Sequence, residues 1–450
     1  MISGKNWQED DQGFAECTAG PQARQTRSML VRNVQLAESP IERGLMPFFG
    51  LVYFAQGISC GLLAQPFTYY LKSQGMAADT VTAFFAVAAL PWMIKPLYGL
   101  LTDLVPLWGY RRKTYLMVTA GLATIGLLGL IQFASPDVLV WGLLVITLGI
   151  AATDVVVDAL MVEHGLRLGR VKQFQGQQWL WLNVAAIIAA LLGGWLSHAF
   201  DPAEAVHTAA MIVIGAPVAV MLAALFLVKE EKVAFDPTRI RRTAWKIGTA
   251  LKSRTLWTVA GFLAFWNLIP NFSTPLYYHL TDHLRFDQYF IGQLLSIGSV
   301  GAVLGALIYR RCLIERLSTQ HLVALSIALN TILALSYLWL NGSTAVVLYF
   351  FGGIVSMIAL LTLFSLAASV CPPQAAGFTF ASLMAIHSVT THLSAMIGGH
   401  LYESIFDHQL RPLIFLAAAA TLAAFFWIPF LPAESNSRGE LETGREYVTS

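Results

Sequence analysis

Residues 91–113 read PWMIKPLYGLLTDLVPLWGYRRK. An apolar run, broken only by Lys95 between Pro91 and Pro96, passes Gly99 and stops at Thr102-Asp103. Five residues later come Gly109-Tyr110-Arg111-Arg112-Lys113, and a new apolar run begins. That order describes a helix leaving a bilayer, a short polar turn, and a helix returning. In lipid such a helix satisfies every backbone polar group internally while its side chains stay apolar. A span needs about 20 mostly apolar residues. Twelve segments qualify, near 46–71, 79–101, 114–133, 137–162, 174–197, 206–228, 255–281, 287–309, 319–340, 344–370, 375–400 and 411–431. Of 450 residues, 56% are hydrophobic and 12% charged. A soluble domain carries roughly 25% charged residues, so a water-facing surface cannot be assembled here. The expectation is an all-α membrane protein of about twelve transmembrane helices, with the lipid bilayer as its partner.

Orientation follows from Lys and Arg counts in alternate loops. With the N-terminus inside, residues 1–45, 102–113, 163–173, 229–254, 310–318 and 432–450 hold 24 of the 28. The outer loops hold Lys72, Arg285 and Arg411, and Lys95 alone lies within a span. Both termini are therefore expected in the cytoplasm, the chain lying in a cytoplasmic (inner) membrane. Five regions result: a tail at 1–45, a six-helix bundle at 46–228, a linker at 229–254, a second bundle at 255–431, and a tail at 432–450. Glu9, Asp10, Asp11 and Glu16 argue against a transit peptide, and no apolar h-region suggests a cleaved signal.

The two bundles echo each other. Gln65-Pro66-Phe67-Thr68-Tyr69-Tyr70-Leu71 ends the first span, and Thr274-Pro275-Leu276-Tyr277-Tyr278-His279-Leu280 ends the seventh. Two parallel six-helix repeats joined by a cytoplasmic linker is the plan of the major facilitator fold. Proline and aromatics are common at span ends, so the echo gains its weight from the charge pattern and the basic linker.

Several function classes drop out. There is no GxxxxGK[ST] loop for a primary pump, and no HExxH, GxSxG or paired Cys/His cluster for a membrane enzyme. Cys17, Cys60, Cys312 and Cys371 are scattered without metal-ligand spacing, so neither metal nor disulfide framework is expected. No cofactor is implied. The net charge of +2, without a long basic run, gives no reason to expect nucleic acid. Uphill transport would draw on an ion gradient.

In the opening motif, Asp103 can accept from a helix N-terminus and pair with an arginine. Gly99, Asp103, Gly109, Arg111 and Arg112 thus form a candidate conformational latch between the cytoplasmic sides of the halves. Ordinary positive-inside anchoring would explain the basic residues but not the Gly and Asp.

The stretch from Pro91-Trp92-Met93-Ile94-Lys95-Pro96-Leu97-Tyr98-Gly99 through Asp103 and Pro106 to Gly109-Tyr110-Arg111-Arg112 resembles the signature of the folate-biopterin transporter family of the major facilitator superfamily. So does the acidic stretch Thr153-Asp154-Val155-Val156-Val157-Asp158-Ala159. Phe272-Ser273-Thr274-Pro275-Leu276-Tyr277-Tyr278 is similar to the family's seventh span. The resemblance covers roughly 46–431. It implies a small-molecule substrate, a folate or pterin.

Charges within spans are costly and tend to be functional. Asp154 and Asp158 share a helix face, and two such carboxylates suit a reversible proton carrier. Counted from the cytoplasmic span ends, Lys95 and the two aspartates differ in depth by only ~3 Å, so a Lys95–Asp pair is open. That pair could be purely structural, or linked to substrate and protons. Trp92, Asn267 and Asn271 are further substrate candidates, the asparagines sharing a face beside Pro270 and Pro275, where bending alone is an equal reading. His387 and His392 lie ~140° apart on their helix and serve packing or substrate. Gln178 and Asn183 could reach a cavity. Span 4 lacks a central arginine, and Arg310-Arg311 lacks an Asp matching Asp103, so a second-half latch is in doubt. The expectation is a proton-coupled symporter of folate- or pterin-like organic anions working by alternating access. The rivals are a carrier of another anionic or heteroaromatic metabolite, and a non-transporting receptor on the same fold.

Overall fold

A computed structural model describes residues 40–432 apart from 133–135, 169–170, 237, 239–244, 246, 315 and 372–375. The expected tails, 1–45 and 432–450, lie outside the described residues except for 40–45 and Pro432, as does part of the linker. Contacts divide the chain into two units, 1–45 and 46–450. In chain order the helices are α1 (Pro40–Ser73), α2 (Ala78–Ala88), α3 (Leu90–Met93), α4 (Lys95–Leu104), α5 (Lys113–Gln132), α6 (Pro136–Leu168), α7 (Val171–Ala199), α8 (Pro202–Val213) and α9 (Gly215–Leu227). They continue with α10 (Arg254–Asn267), α11 (Ser273–Asp282), α12 (Gln288–Ile308), α13 (Thr319–Ser336), α14 (Ala345–Ser369), α15 (Ala376–His400) and α16 (Leu410–Ala423).

Among the described residues, ten helical stretches are long and apolar enough to cross a membrane, α8 and α9 counting as one. The other two expected spans, 79–101 and 255–281, are interrupted. Proline lacks an N–H and clashes with the preceding turn, so Pro91 and Pro96 split the second span into α2, α3 and α4. At the breaks the Trp92 N–H turns to the Ala89 carbonyl and Leu97 N–H to that of Ile94. Thr147 Oγ1 of α6 donates to the Ala88 carbonyl beside the break at 2.6 Å.

The seventh span unwinds between Asn267 and Ser273. Asn271 N–H donates to the Ser394 carbonyl at 3.3 Å, and Ser394 Oγ donates to the Ile269 carbonyl. Irregular backbone at membrane depth requires such partners. A side chain at Gly398 would collide with the Asn271 backbone, so glycine is what lets α15 approach the break. The expected common face of Asn267 and Asn271 does not exist, because the helix ends between them. Asn267 Nδ2 donates to the Leu263 carbonyl at 2.7 Å, and Asn271 Oδ1 accepts from Ser273 N–H at 2.7 Å, capping α11.

Segments from either side of the linker meet directly. Helix α7 packs on α12, and α15 packs on α2, α3 and α4. Phe67, Leu71 and Val81 share one buried cluster with Leu280, Ile291 and Leu413. Between helices in lipid the cohesion comes from close packing and interhelical hydrogen bonds rather than from exclusion of water.

Candidate functional site

The break at Ile94 sets Lys95 at the start of α4, where its side chain reaches α6. Lys95 Nζ lies 2.7 Å from Asp154 Oδ2, the two side chains being 19% and 6% exposed. The same ammonium sits 4.4 Å from the Trp92 ring centroid. One turn along α6, Asp158 accepts a hydrogen bond from the Tyr53 hydroxyl of α1. Thr153, beside the aspartate, shares a 2.7 Å hydrogen bond with Thr119 of α5. Lys95, Trp92, Asp154 and Asp158 are therefore brought together, and Tyr53, which sequence reasoning did not single out, joins them. Burying charge is tolerated only when it is paired and hydrogen-bonded. One lysine faces two carboxylates, so the cluster holds one ionisable proton site more than its cation can neutralise.

Asn267 stands apart from this cluster in its bonding. Its side chain serves Leu263, and its Oδ1 accepts weakly from Thr391 Oγ1 at 3.4 Å. Asn271 serves the broken backbone. Six buried side-chain atoms find no hydrogen-bond partner among the described residues: Gln65 Oε1, Tyr98 Oη, Arg111 Nε, Arg112 Nε, Gln178 Nε2 and His387 Nδ1. The His387 ring lies edge-on to Phe364, centroids 5.9 Å apart at 85°, and Phe364 leans on Trp179 of α7 at 6.3 Å.

The latch residues assemble around Arg112. Arg112, buried, donates to Asp103 at 2.5 Å, Glu163 at 2.6 Å and Thr102 Oγ1 at 2.7 Å. Burial opposes its charge, but the hydrogen bond and charge of Glu163, with those of Asp103, more than offset this and raise its pKa above the ordinary guanidinium value. Glu230 of the linker accepts from the backbone N–H groups of Arg111, Arg112 and Lys113, capping α5. This is the favourable place for an anion. Gly109 has φ +86°, a backbone that L side chains rarely adopt, and its carbonyl accepts from Val233 N–H. Gly99 lies against Val155. All these partners lie in residues 99–233, so in the state described the motif binds α4, α5, α6 and the linker. Tyr309–Leu313, which holds Arg310 and Arg311, is a π-helical turn, and neither arginine has an ion pair among the described residues.

The halves are joined instead at the opposite end, by the echoing segments. Lys72 pairs with Asp282 and Thr281 and lies 4.6 Å from the Tyr278 ring centroid. The Tyr278 hydroxyl donates to the Met76 carbonyl. Gln65 Nε2 donates to the Gln288 carbonyl at 2.7 Å, and Glu403 accepts from Ala78 N–H at 2.7 Å. The hydrogen bonds named here between residues before and after the linker all lie at this end.

The model of the BT1 family matches residues 56–433. The "Folate-biopterin transporter" of Synechocystis is 27% identical over 401 residues, covering 84% of this chain and 79% of that protein. The crystal structure of the nucleoside transporter NupG matches with a TM-score of 0.64 at 16% identity, covering 86% of this chain and 98% of the other. The outward-conformation structure of FucP, a Major Facilitator Superfamily transporter, matches with a TM-score of 0.59 at 13% identity, over 86% and 98%. At such identities these two structures speak for the fold alone, and the fold is that of the major facilitators.

Proposed function

We infer that this chain, which belongs to the BT1 family of membrane transporters, is a proton-coupled secondary carrier of folate- or pterin-like organic anions working by alternating access. The observation that carries this reading is the buried Lys95–Asp154 pair with Asp158 held apart on Tyr53. A folate or related anion needs a buried cation, and Lys95 is the cation the spans supply. When the anion takes Lys95, the two aspartates lose their counter-charge and one of them takes up a proton, since an unpaired carboxylate in a dry site favours its neutral form. Substrate and proton then travel together, and release of the anion returns Lys95 to Asp154. Trp92, already against the lysine, offers an aromatic face to a flat ring.

The Lys and Arg distribution supports placing both termini and 229–254 in the cytoplasm of a cell bounded by its inner membrane. Residues 46–228 and 255–431 act as the two bundles. On that topology the Lys72–Asp282 end, where the two bundles are tied together, faces outward, and the Arg112 end faces the cytoplasm. Asn267 and Asn271 support the bend of the seventh span more than they support contact with cargo.

The test is flux of radiolabelled folate and pterins into proteoliposomes under an imposed pH gradient. Saturable uptake is expected, faster with an acidic outside and, for folate more than for pterins, reduced in Lys95→Gln. Saturable uptake of some other anionic metabolite, with none of folate or pterin, would sink the cargo while leaving the transporter. Folate binding without flux would favour a receptor.

A further inference from the structure

The transport reading gives the anionic end of the cargo a partner but leaves the polar edge of its ring without one. Helix α15 runs antiparallel to α2–α4, and the contact of Gly399 with Asp79 and Thr82 fixes their register. Twelve residues back along α15 from Gly399 is His387. Twelve residues on from Asp79 and Thr82 are positions 91 and 94, bracketing Trp92. The path along α15 is about 18 Å at helical rise, and α15 packs on both α3, which holds Trp92, and α4, which begins at Lys95, so His387 stands near the level of Trp92. Lys95 Nζ, 4.4 Å from the Trp92 ring centroid, reaches the same level.

Three further observations converge on this histidine. Its Nδ1 is buried without a hydrogen-bond partner among the described residues, a condition that native proteins seldom leave unexplained. Its ring packs edge-on against Phe364. Phe364 rests on Trp179, so an aromatic wall runs from α7 to α15, across the two halves.

We propose that His387 is a specificity-determining substrate residue. Its Nδ1 hydrogen-bonds the polar edge of a planar heterocycle, whose anionic end meets Lys95 and whose face lies along Phe364 and Trp179. The proposal rests on the folate–pterin reading and adds the group that distinguishes one ring edge from another. Buried hydrogen bonds discriminate sharply because a mismatched partner leaves two polar groups unpaired.

The test measures binding to purified full-length protein of pterin, 2,4-diaminopteridine and p-aminobenzoylglutamate. The second presents an amino group where pterin has a carbonyl, and the third lacks the ring. His387→Phe is expected to weaken pterin about tenfold, to bring the pterin-to-diaminopteridine ratio towards one, and to leave p-aminobenzoylglutamate unchanged. His387→Gln keeps a polar group there and recovers part of the preference. Lys95→Gln shows the reverse pattern, losing p-aminobenzoylglutamate and sparing pterin. An unchanged ring ratio in folded His387→Phe would overturn the proposal. So would equal loss of all three ligands, which would mark His387 as structural or bound to resident water. If the wild type binds neither pterin nor folate, the cargo reading fails and this assignment fails with it.

Discussion

Removing Lys95 should cost the protein more than removing Lys95 and Asp154 together. The pair is 2.7 Å from nitrogen to oxygen, and Asp154 is 6% exposed. With charge centres about 4 Å apart and an effective dielectric near 20, the attraction is about 4 kcal/mol. Much of this only offsets the desolvation of both ions, so the intact pair adds little net stability. Lys95→Ala leaves a buried carboxylate alone, and Asp154→Ala leaves a buried ammonium, at about 3–5 kcal/mol each. At roughly 2 °C per kcal/mol, each single variant should melt about 6–10 °C lower in detergent. The double variant Lys95→Ala/Asp154→Ala should recover at least half of that loss while remaining inactive in uptake. The assay is the thermal unfolding of purified protein for the four members of the cycle, with flux measured in parallel. Additive losses would refute the reasoning, since they would mean that the two residues do not stabilise each other.

Other expectations concern the remaining groups. Asp158→Asn should keep substrate counterflow yet lose accumulation driven by an acidic outside; wild-type accumulation would remove Asp158 from coupling. Asp103→Asn should slow net transport several-fold at equal expression, because it removes one of two carboxylates from Arg112 but little volume, and unchanged rates would reduce the motif to an anchor. Lys72→Ala removes a half-exposed ion pair and a cation–π contact, together about 1–2 kcal/mol. That should shift the balance towards the outward-open state about 5- to 30-fold, read as faster labelling of Cys60 from outside. A cysteine at Phe235, exposed in the linker, should resist an impermeant reagent on intact cells; efficient labelling there would invert the topology.

How much of this was legible varies with the range of the interaction. The Lys95–aspartate pair could be anticipated because depth along a helix follows from residue count. The choice of Asp154 over Asp158 could not, since it depends on how the Ile94 break turns Lys95 about the axis. Tyr53 gave no signal, being one aromatic among many in an apolar span; only its contact 105 residues away gives it a role. Asp103 and Arg112 lie close in sequence and their pairing was readable, whereas Glu163 arrives from α6 and Glu230 from the linker, and both look like ordinary loop acids. Likewise the Tyr-Tyr echo suggested a repeat, but nothing local shows that the two copies face each other. Asn267 and Asn271 misled because a common face presumes a continuous helix, and Pro270 with Ser394 favours unwinding.

Both interrupted spans lean on one uninterrupted helix, and that arrangement links the charge cluster to the closed end. Ser394 of α15 accepts from Asn271 and donates to Ile269, holding the unwound seventh span. Five residues on, Gly399 lies against Asp79 and Thr82 at the head of the second span. Helix α11, beyond the first of these contacts, carries Tyr278, Thr281 and Asp282 of the closure with Lys72 and Met76. Helix α4, beyond the second, begins at Lys95. Close-packed contacts such as Gly398 on Asn271 do not deform by degrees; they hold or they are remade. A ligand that draws Lys95 from Asp154 changes the charge at the start of α4, against which α15 packs, and α15 also bears the backbone partners of the other break. On the proposed mechanism, α15, touching both broken spans, links the buried pair to the closed end without a relay of side chains between them.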